Sequence, residues 1–526
     1  MSLYFCLEVL HLNGKFTLTK ETTFKSGYNN AMTRFWSRFK QFFDPIDLTV
    51  GNSKKDILRF SLPIFLSTFF QSLYTLVDTI VCGQTLDEPS IAAVTNTTTI
   101  VFLFFQFAFG CSSGFSVVLS KRMGEKDMAG VRKSIATQWF LTAIIILILS
   151  VGGVFALPLL LQAIGIHPSD TDPAMAAEYQ AAITYLTIIV GGLFSQLVYN
   201  LAVSCLRAYG DSFTPFLFLL LSTALNVGLD CLFLMVFHWG VAGAAWATVI
   251  AQALAGIASW IYFFVHNPVL RFHKEDWKIR WKDCYEHLRD GLPLAFNFSI
   301  LSIGIIVMSG SIIAFDRRPD GTMDPQMPVQ IGYGVACKLF NLFTGLQQSL
   351  GLAMMSYMAE NLGAGNRKRI QEGFRFSFFF GFLLTVGINV VGLLLCIHGA
   401  YQYLFLNVEA ITSKSIEAGN AYLYLALPTS MILMWLFLFR NELQGLEKPL
   451  FPFLAGIAEL IARVLICLFL PSFINGGAVS TDSSVWALLG AYAGDPGAWL
   501  LASLTMVIPC IRAVYPKKTK ELTSIK

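Results

Sequence analysis

Residues 57–83 read ILRFSLPIFLSTFFQSLYTLVDTIVCG. An apolar helix of about 20 residues crosses a bilayer, and this stretch is long enough. It also carries Gln71 and, seven residues on, Asp78. Seven residues is close to two helical turns, so the two side chains share a face. Pro63 lies fifteen residues before Asp78, where its missing N–H loosens the helix and permits a kink. A carboxylate at the centre of a span costs at least ~2.5 kcal/mol on the insertion scale. Two readings of Asp78 are open at this point. It can hold a coupling ion, with a moving cavity built around it. Or it lies ~30 Å along a helix that starts near Ile57 and snorkels to the far surface.

The rest of the chain has the same character. It has 526 residues, 55% hydrophobic and 13% charged, where soluble domains average about 25% charged. With a mean hydropathy of +0.61 it reads as an all-α, multi-span membrane protein. Hydropathy gives twelve spans, near 57–81, 91–119, 134–161, 179–205, 215–237, 241–265, 289–314, 329–358, 372–398, 416–439, 451–471 and 496–514. The segments on one side of these spans hold 29 Lys and Arg, and the opposite loops hold Arg317, Arg318 and Lys414. The positive-inside rule therefore predicts both termini on the cytoplasmic side of the cell membrane. The ten Cys show no CxxC or zinc-like spacing, and those in apolar runs behave as small hydrophobes. Residues 1–50 read as a cytoplasmic extension, in which RFWSRFKQFF (34–43) is either an interfacial amphipathic helix or a loose tail.

The charged run HNPVLRFHKEDWKIRWKDCYEHLRD (266–290) divides the chain. It reads as a linker between an N-lobe of six spans (51–265) and a C-lobe of six (291–515), with 516–526 a cytoplasmic tail. The lobes repeat in order. Leu62-Pro63 matches Leu292-Pro293, Met123-Gly124 matches Leu362-Gly363, and the 226–230 stretch matches 459–463, at offsets of about 230 to 253 residues. Repeats of six helices insert with the same topology, so the expectation is two pseudo-symmetric bundles with a site between them near the midplane.

Few polar groups are committed to the spans. The N-lobe has Gln71, Asp78, Asn200, Asn226, Asp230 and Thr248. Asn226 and Asp230 are four apart, on one helix face. On a 1.5 Å rise, Asp78, Asp230 and Thr248 fall in the same half of the bilayer, and Asn200 fits that layer least well. Two carboxylates in a low-dielectric cavity can take up a proton. With an amide and a hydroxyl they also form a hard-oxygen set for Na⁺, at Asp78, Asn226, Asp230 and Thr248. The spacing leaves H⁺ and Na⁺ both open, and polar glue between helices is the bland alternative. In the C-lobe, Glu459 and Arg463 read as an intrahelical pair or a cargo contact, and Lys338 is a further candidate contact. Lys338 and Arg463 are taken as the buried cations, set against three buried acids, which favours cationic cargo. The GCSSG run at 110–114 reads as small-residue helix packing.

The fragments FSLPIFLSTFFQSLYTLVDTIVCG, RAYGDSFTP, LNVGLD and GVAGAAWAT resemble the multidrug and toxic compound extrusion (MATE) family, from Asp47 to about residue 515. The resemblance implies a V-shaped pair of six-helix bundles that extrudes organic cations in exchange for H⁺ or Na⁺. It uses no cofactor and no nucleic acid, and is expected to act as a monomer in the lipid bilayer. The DinF-like branch is the nearest in its N-lobe pattern. That pattern falls on Gln71, Asp78, Asn200, Asn226, Asp230 and Thr248, with Pro63 as the hinge. Val203 stands where archaeal members carry a second Asn. The seventh span, GLPLAFNFSILSIGIIVMSG, lacks the acid of the NorM branch.

A lipid-linked precursor flippase of the same superfamily is the alternative within transport, and an Arg- and Lys-rich cavity would favour it. An intramembrane hydrolase is the alternative outside transport. The seven His include no HExxH, and there is no GxSxG.

Overall fold

The computed structural model describes residues 44–164, 166–168, 173–406 and 411–516. For residues 76–80, 163 and 174 it describes the backbone alone. The expected amphipathic segment 34–43 and most of the C-terminal tail lie outside the described residues. From Pro45 onward the chain forms one compact unit.

Among the described residues there is no strand, and the spans are helices. The first half runs through α1 (Ser53–Thr85), α2 (Glu88–Gly124), α3 (Met128–Ala163), α4 (Pro173–Gly191), α5 (Leu193–Ala208), α6 (Phe213–Asp230) with a π-helical extension (Cys231–Val236), and α7 (Gly240–His266). The second runs through α8 (Trp281–Ile313), α9 (Pro328–Gly363), α10 (Arg367–Leu395), α11 (Ser413–Gly445), α12 (Leu450–Asn475), α13 (Val485–Tyr492) and α14 (Gly494–Val514). Among the described residues nine helical spans are long and apolar enough to cross a membrane, and α4 with α5, bent by 41°, makes a tenth. In the remaining two, α1 and α9, polar residues interrupt the apolar run, Gln71 and Asp78 in one and Lys338 and Gln347 in the other.

Several boundaries differ from the hydropathy expectation. The bend in the fourth span falls at Gly192, whose missing side chain leaves room for Val249; a Cβ there would lie 2.5 Å from Val249 Cγ2. The seventh helix begins eight residues before the predicted span, so 281–290 is helix and not linker. Its start is fixed by Asp283, which accepts from the Arg280 N–H at 3.0 Å and pairs with Lys133 of α3 at 2.6 Å. α13 occupies what reads as loop before the twelfth span.

Leu48, Ile57, Phe60 and Ile64 belong to the hydrophobic core of the second half, so the start of α1 packs across the divide. Arg369 reinforces this, donating to Leu48 O at 2.8 Å, Gly51 O at 2.6 Å and Asp56 Oδ2 at 3.0 Å. Asn361 donates to Leu48 O at 3.0 Å. α2 then crosses α8 and α9 closely. A Cβ on Gly110 would sit 2.5 Å from Ala295 Cα, and one on Gly114 2.5 Å from Gly291 Cα. The GCSSG run is thus a packing seam, as its composition suggests. Beyond it Gly124 abuts the Glu360 carbonyl and Gly363 the Lys121 carbonyl. Lys121 pairs with Glu447 at 3.0 Å and Arg122 with Glu286 at 2.9 Å. Polar contacts between the halves therefore gather at the Lys- and Arg-rich end. Deeper, Thr68 and Ser349 share a hydrogen bond of 2.7 Å, ~22 Å along α1.

Candidate functional site

In the first half the structure joins three of the predicted polar residues. Asn226 and Asp230 lie one turn apart on α6, and Thr248 faces them from α7. Asp230 is fully buried and Asn226 nearly so. In the amide orientation that matches donors to acceptors, Asn226 Nδ2 donates to Asp230 Oδ2 at 2.9 Å, and its Oδ1 accepts from the Thr248 N–H at 3.2 Å. The opposite orientation brings Nδ2 to Thr248 Oγ1 at 3.3 Å. The hydroxyl in turn donates to Ala244 O at 3.2 Å, which fixes its rotamer.

Asp78 lies within α1, and its side chain is outside the described residues. The backbone nevertheless sets its level. Cys82, one turn after Asp78, packs against Leu234, four residues after Asp230. Both helices run in the same sense, so Asp78 and Asp230 occupy one layer. Gln71 is exposed on α1, two turns nearer the basic end. Asn200 is buried in α5, apart from the bonded trio. Pro63 sits inside a continuous α1, where Ser67 Oγ donates to its carbonyl at 2.8 Å.

Immediately after Asp230 the backbone widens to a π-helix, with the Phe237 N–H on Leu232 O at 3.0 Å. Such segments occur as single turns, frequently at functional sites. A carboxylate, an amide oxygen and a hydroxyl in a buried pocket can hold a proton or a small hard cation. Among the described residues no cluster of three or more His, Cys, Asp or Glu is arranged for a metal.

The second half corrects the reading of buried charge. Lys338 is exposed on α9, whereas Arg440 is buried. Arg440 donates to Glu459 at 2.8 Å. Glu459 also accepts from Arg463 at 3.2 Å, as its i,i+4 spacing anticipates. Arg463 reaches on to Asp495 at 3.0 Å, which accepts from Tyr422 Oη at 3.0 Å. The pair is therefore the middle of a neutral chain of two cations and two anions linking α11, α12 and α14. Glu442, also fully buried, accepts from Ser377 Oγ at 2.8 Å. Arg440, Glu442 and Asp495 were invisible to a hydropathy window because each falls at a span end, where charge truncates the window. The contrast between a few buried cations and three acids does not hold for the whole chain. Within the six hydropathy spans of the first half the acids are Asp78 and Asp230 and the one Lys or Arg is Arg59, near a span start, while Arg207 lies just past the fourth.

A family model described as MatE matches residues 63–232 and 332–469. A probable multidrug resistance protein of Bacillus subtilis (strain 168), YpnP, is 28% identical over 334 residues, covering 62% of this chain and 68% of that protein. A second from the same strain, YoeA, is 24% identical over 485 residues, covering 90% and 97%. Among solved structures, an outward-facing multidrug resistance MATE family transporter of the MOP superfamily shares the fold with a TM-score of 0.75. It is 20% identical, over 90% of this chain and 98% of that one.

Proposed function

The chain belongs to the MatE family of membrane transporters, which are not enzymes, and from that premise we propose that it exports organic cations in exchange for H⁺ or Na⁺ by alternating access. The basic end is cytoplasmic in this reading, and the arrangement described is the one closed on that side. The buried Asp230–Asn226–Thr248 cluster carries the assignment of the ion site. Asp78 and Gln71 complete it from α1, Asn200 supports it from α5, and Pro63 is the hinge. An ion shifts the balance between two arrangements only through its differential affinity for them. The meeting of α1 and α6 in one layer supplies a route, because α1 also packs on the core of the second half. Cationic cargo is favoured by the two carboxylates of the first half. The second-half chain is already neutral, so Glu459 and Arg463 are structural in this reading.

The test is uptake and release of a fluorescent organic cation by the full chain in proteoliposomes, with a pH gradient or a Na⁺ gradient imposed separately. Dye movement driven by one gradient, and lost in both Asp230→Asn and Asp78→Asn, is the expected result. Gradient-driven transport that survives both substitutions would remove the ion site from the first half. If neither gradient moves the dye in the parent, the antiport reading fails.

A further inference from the structure

A groove of about 390 Å³ opens on the lipid-facing side of the first half, away from the ion site. Its walls are Trp139 of α3, Val198 of α5, and Ile257, Trp260 and Phe264 of α7, with Arg271 at one end. The aromatic wall is preformed. Trp139 and Trp260 lie 5.0 Å apart, Trp260 stacks on Phe264 at 5.4 Å, and the Trp260 N–H is held by Val198 O at 3.1 Å. The apolar side is open, since Ile257 is 54% exposed. The α7 residues occupy the last ten of a helix that ends at His266, a depth of ~15 Å, or one leaflet.

Arg271 closes the end that reaches the headgroup layer. Its Nε donates to Phe264 O at 3.1 Å, which ties the guanidinium to the wall residue Phe264. The acids nearby are already engaged: Asp276 with Arg132, Asp283 with Lys133 and Arg280, and Glu275 with Lys278. Among the described residues no carboxylate lies within ion-pair distance of Arg271. An apolar slot one leaflet deep, ending in an unneutralised guanidinium, is complementary to an acyl chain that ends in a phosphate. Basic pockets between spans on the cytoplasmic side bind anionic headgroups in this way. We propose that this groove is a specific site for an anionic glycerophospholipid of the leaflet on the basic side of the membrane, with Arg271 on the phosphate and the Trp139–Trp260 wall on the chain. The site is independent of which ion drives transport.

The full chain is placed in phosphatidylcholine nanodiscs, and brominated phosphatidylglycerol or brominated phosphatidylcholine is titrated in at equal mole fraction. Bromine on the acyl chain quenches tryptophans it touches. Phosphatidylglycerol is expected to quench at about fivefold lower mole fraction, the effect of one basic residue at the surface. The preference should vanish in Arg271→Gln and persist in Arg271→Lys. It should also disappear when Trp139 and Trp260 are both replaced by Phe, because those two report the groove. Equal quenching by the two lipids in the parent chain would overturn the proposal without recourse to any variant. So would a preference that survives loss of both tryptophans, which would place the lipid elsewhere.

Discussion

Replacing Glu459 by Gln removes one charge from a buried set of four. Arg440 is 2% exposed, Glu459 3% and Arg463 4%, so none has water to fall back on. Arg463 keeps Asp495 at 3.0 Å, whereas Arg440 loses the one carboxylate with which it pairs among the described residues. Breaking a buried pair by removing one partner costs about 3–5 kcal/mol, because the other charge stays buried. The retained Arg463–Asp495 contact puts Glu459→Gln near the low end, at about 3 kcal/mol. Arg440→Met should cost a similar amount for the mirrored reason. The double variant Arg440→Met with Glu459→Leu removes both charges, and replacing a buried pair by apolar groups is often close to neutral. Its cost should be about 1 kcal/mol or less, which implies a coupling of several kcal/mol in a double-mutant cycle. Unfolding of the purified parent, Arg440→Met, Glu459→Leu and the double variant, titrated with SDS, supplies the four corners of the cycle, with Glu459→Leu costing at least as much as Glu459→Gln. Additive single losses would refute the charge-chain argument. Transport separates structure from recognition: the double variant should still move dye, and a folded double variant that does not would make the pair a cargo contact.

Three further outcomes follow from the packing and the site. Gly124→Leu forces a side chain into the Glu360 carbonyl, so the halves cannot close at the basic end; spin labels on α2 and α9 should report a longer distance there, and an unchanged distance would mean the crossing is not a constraint. Glu447→Gln weakens its contact to Lys121 across the halves, which is partly exposed and worth at most about 1 kcal/mol, a shift of up to roughly fivefold towards the alternative arrangement. High salt should produce much of that shift in the parent by screening, and the same labels read both effects. Thr248→Val keeps the shape and removes the hydroxyl, at about 1 kcal/mol; the driving-ion concentration for half-maximal exchange should rise about fivefold with little change in maximal rate.

The all-helical fold was legible because burial in lipid leaves a run of apolar residues at each span, and the alternation of Lys and Arg between loops checks the count. The cluster was legible for a related reason. Asn226 and Asp230 share a face by spacing alone, and Thr248 falls at the same depth by counting rises. Other features have no local signature. Arg440 meets Glu459, and Arg463 meets Asp495, only once three helices have packed. The bend at Gly192 depends on Val249, a residue more than fifty positions away. The early start of α8 depends on Lys133 as much as on its own cap. Asp495 is the clearest case, since a buried charge at a span end looks like a loop residue until its partner is known.

The π-helical turn after Asp230 has a mechanical consequence. Such a turn accommodates one residue more than an α-helical path of the same span. If Cys231–Val236 reverted to α-helical bonding while Phe237 stayed fixed, the chain before it would turn by about 100° and slide about 1.5 Å along its axis. Asn226 and Asp230 would then leave Thr248 and face a different neighbour, with every backbone bond of α6 kept. The six residues Cys231–Val236 therefore store more than a quarter turn of rotation, available to the carboxylate without unwinding the span that carries it.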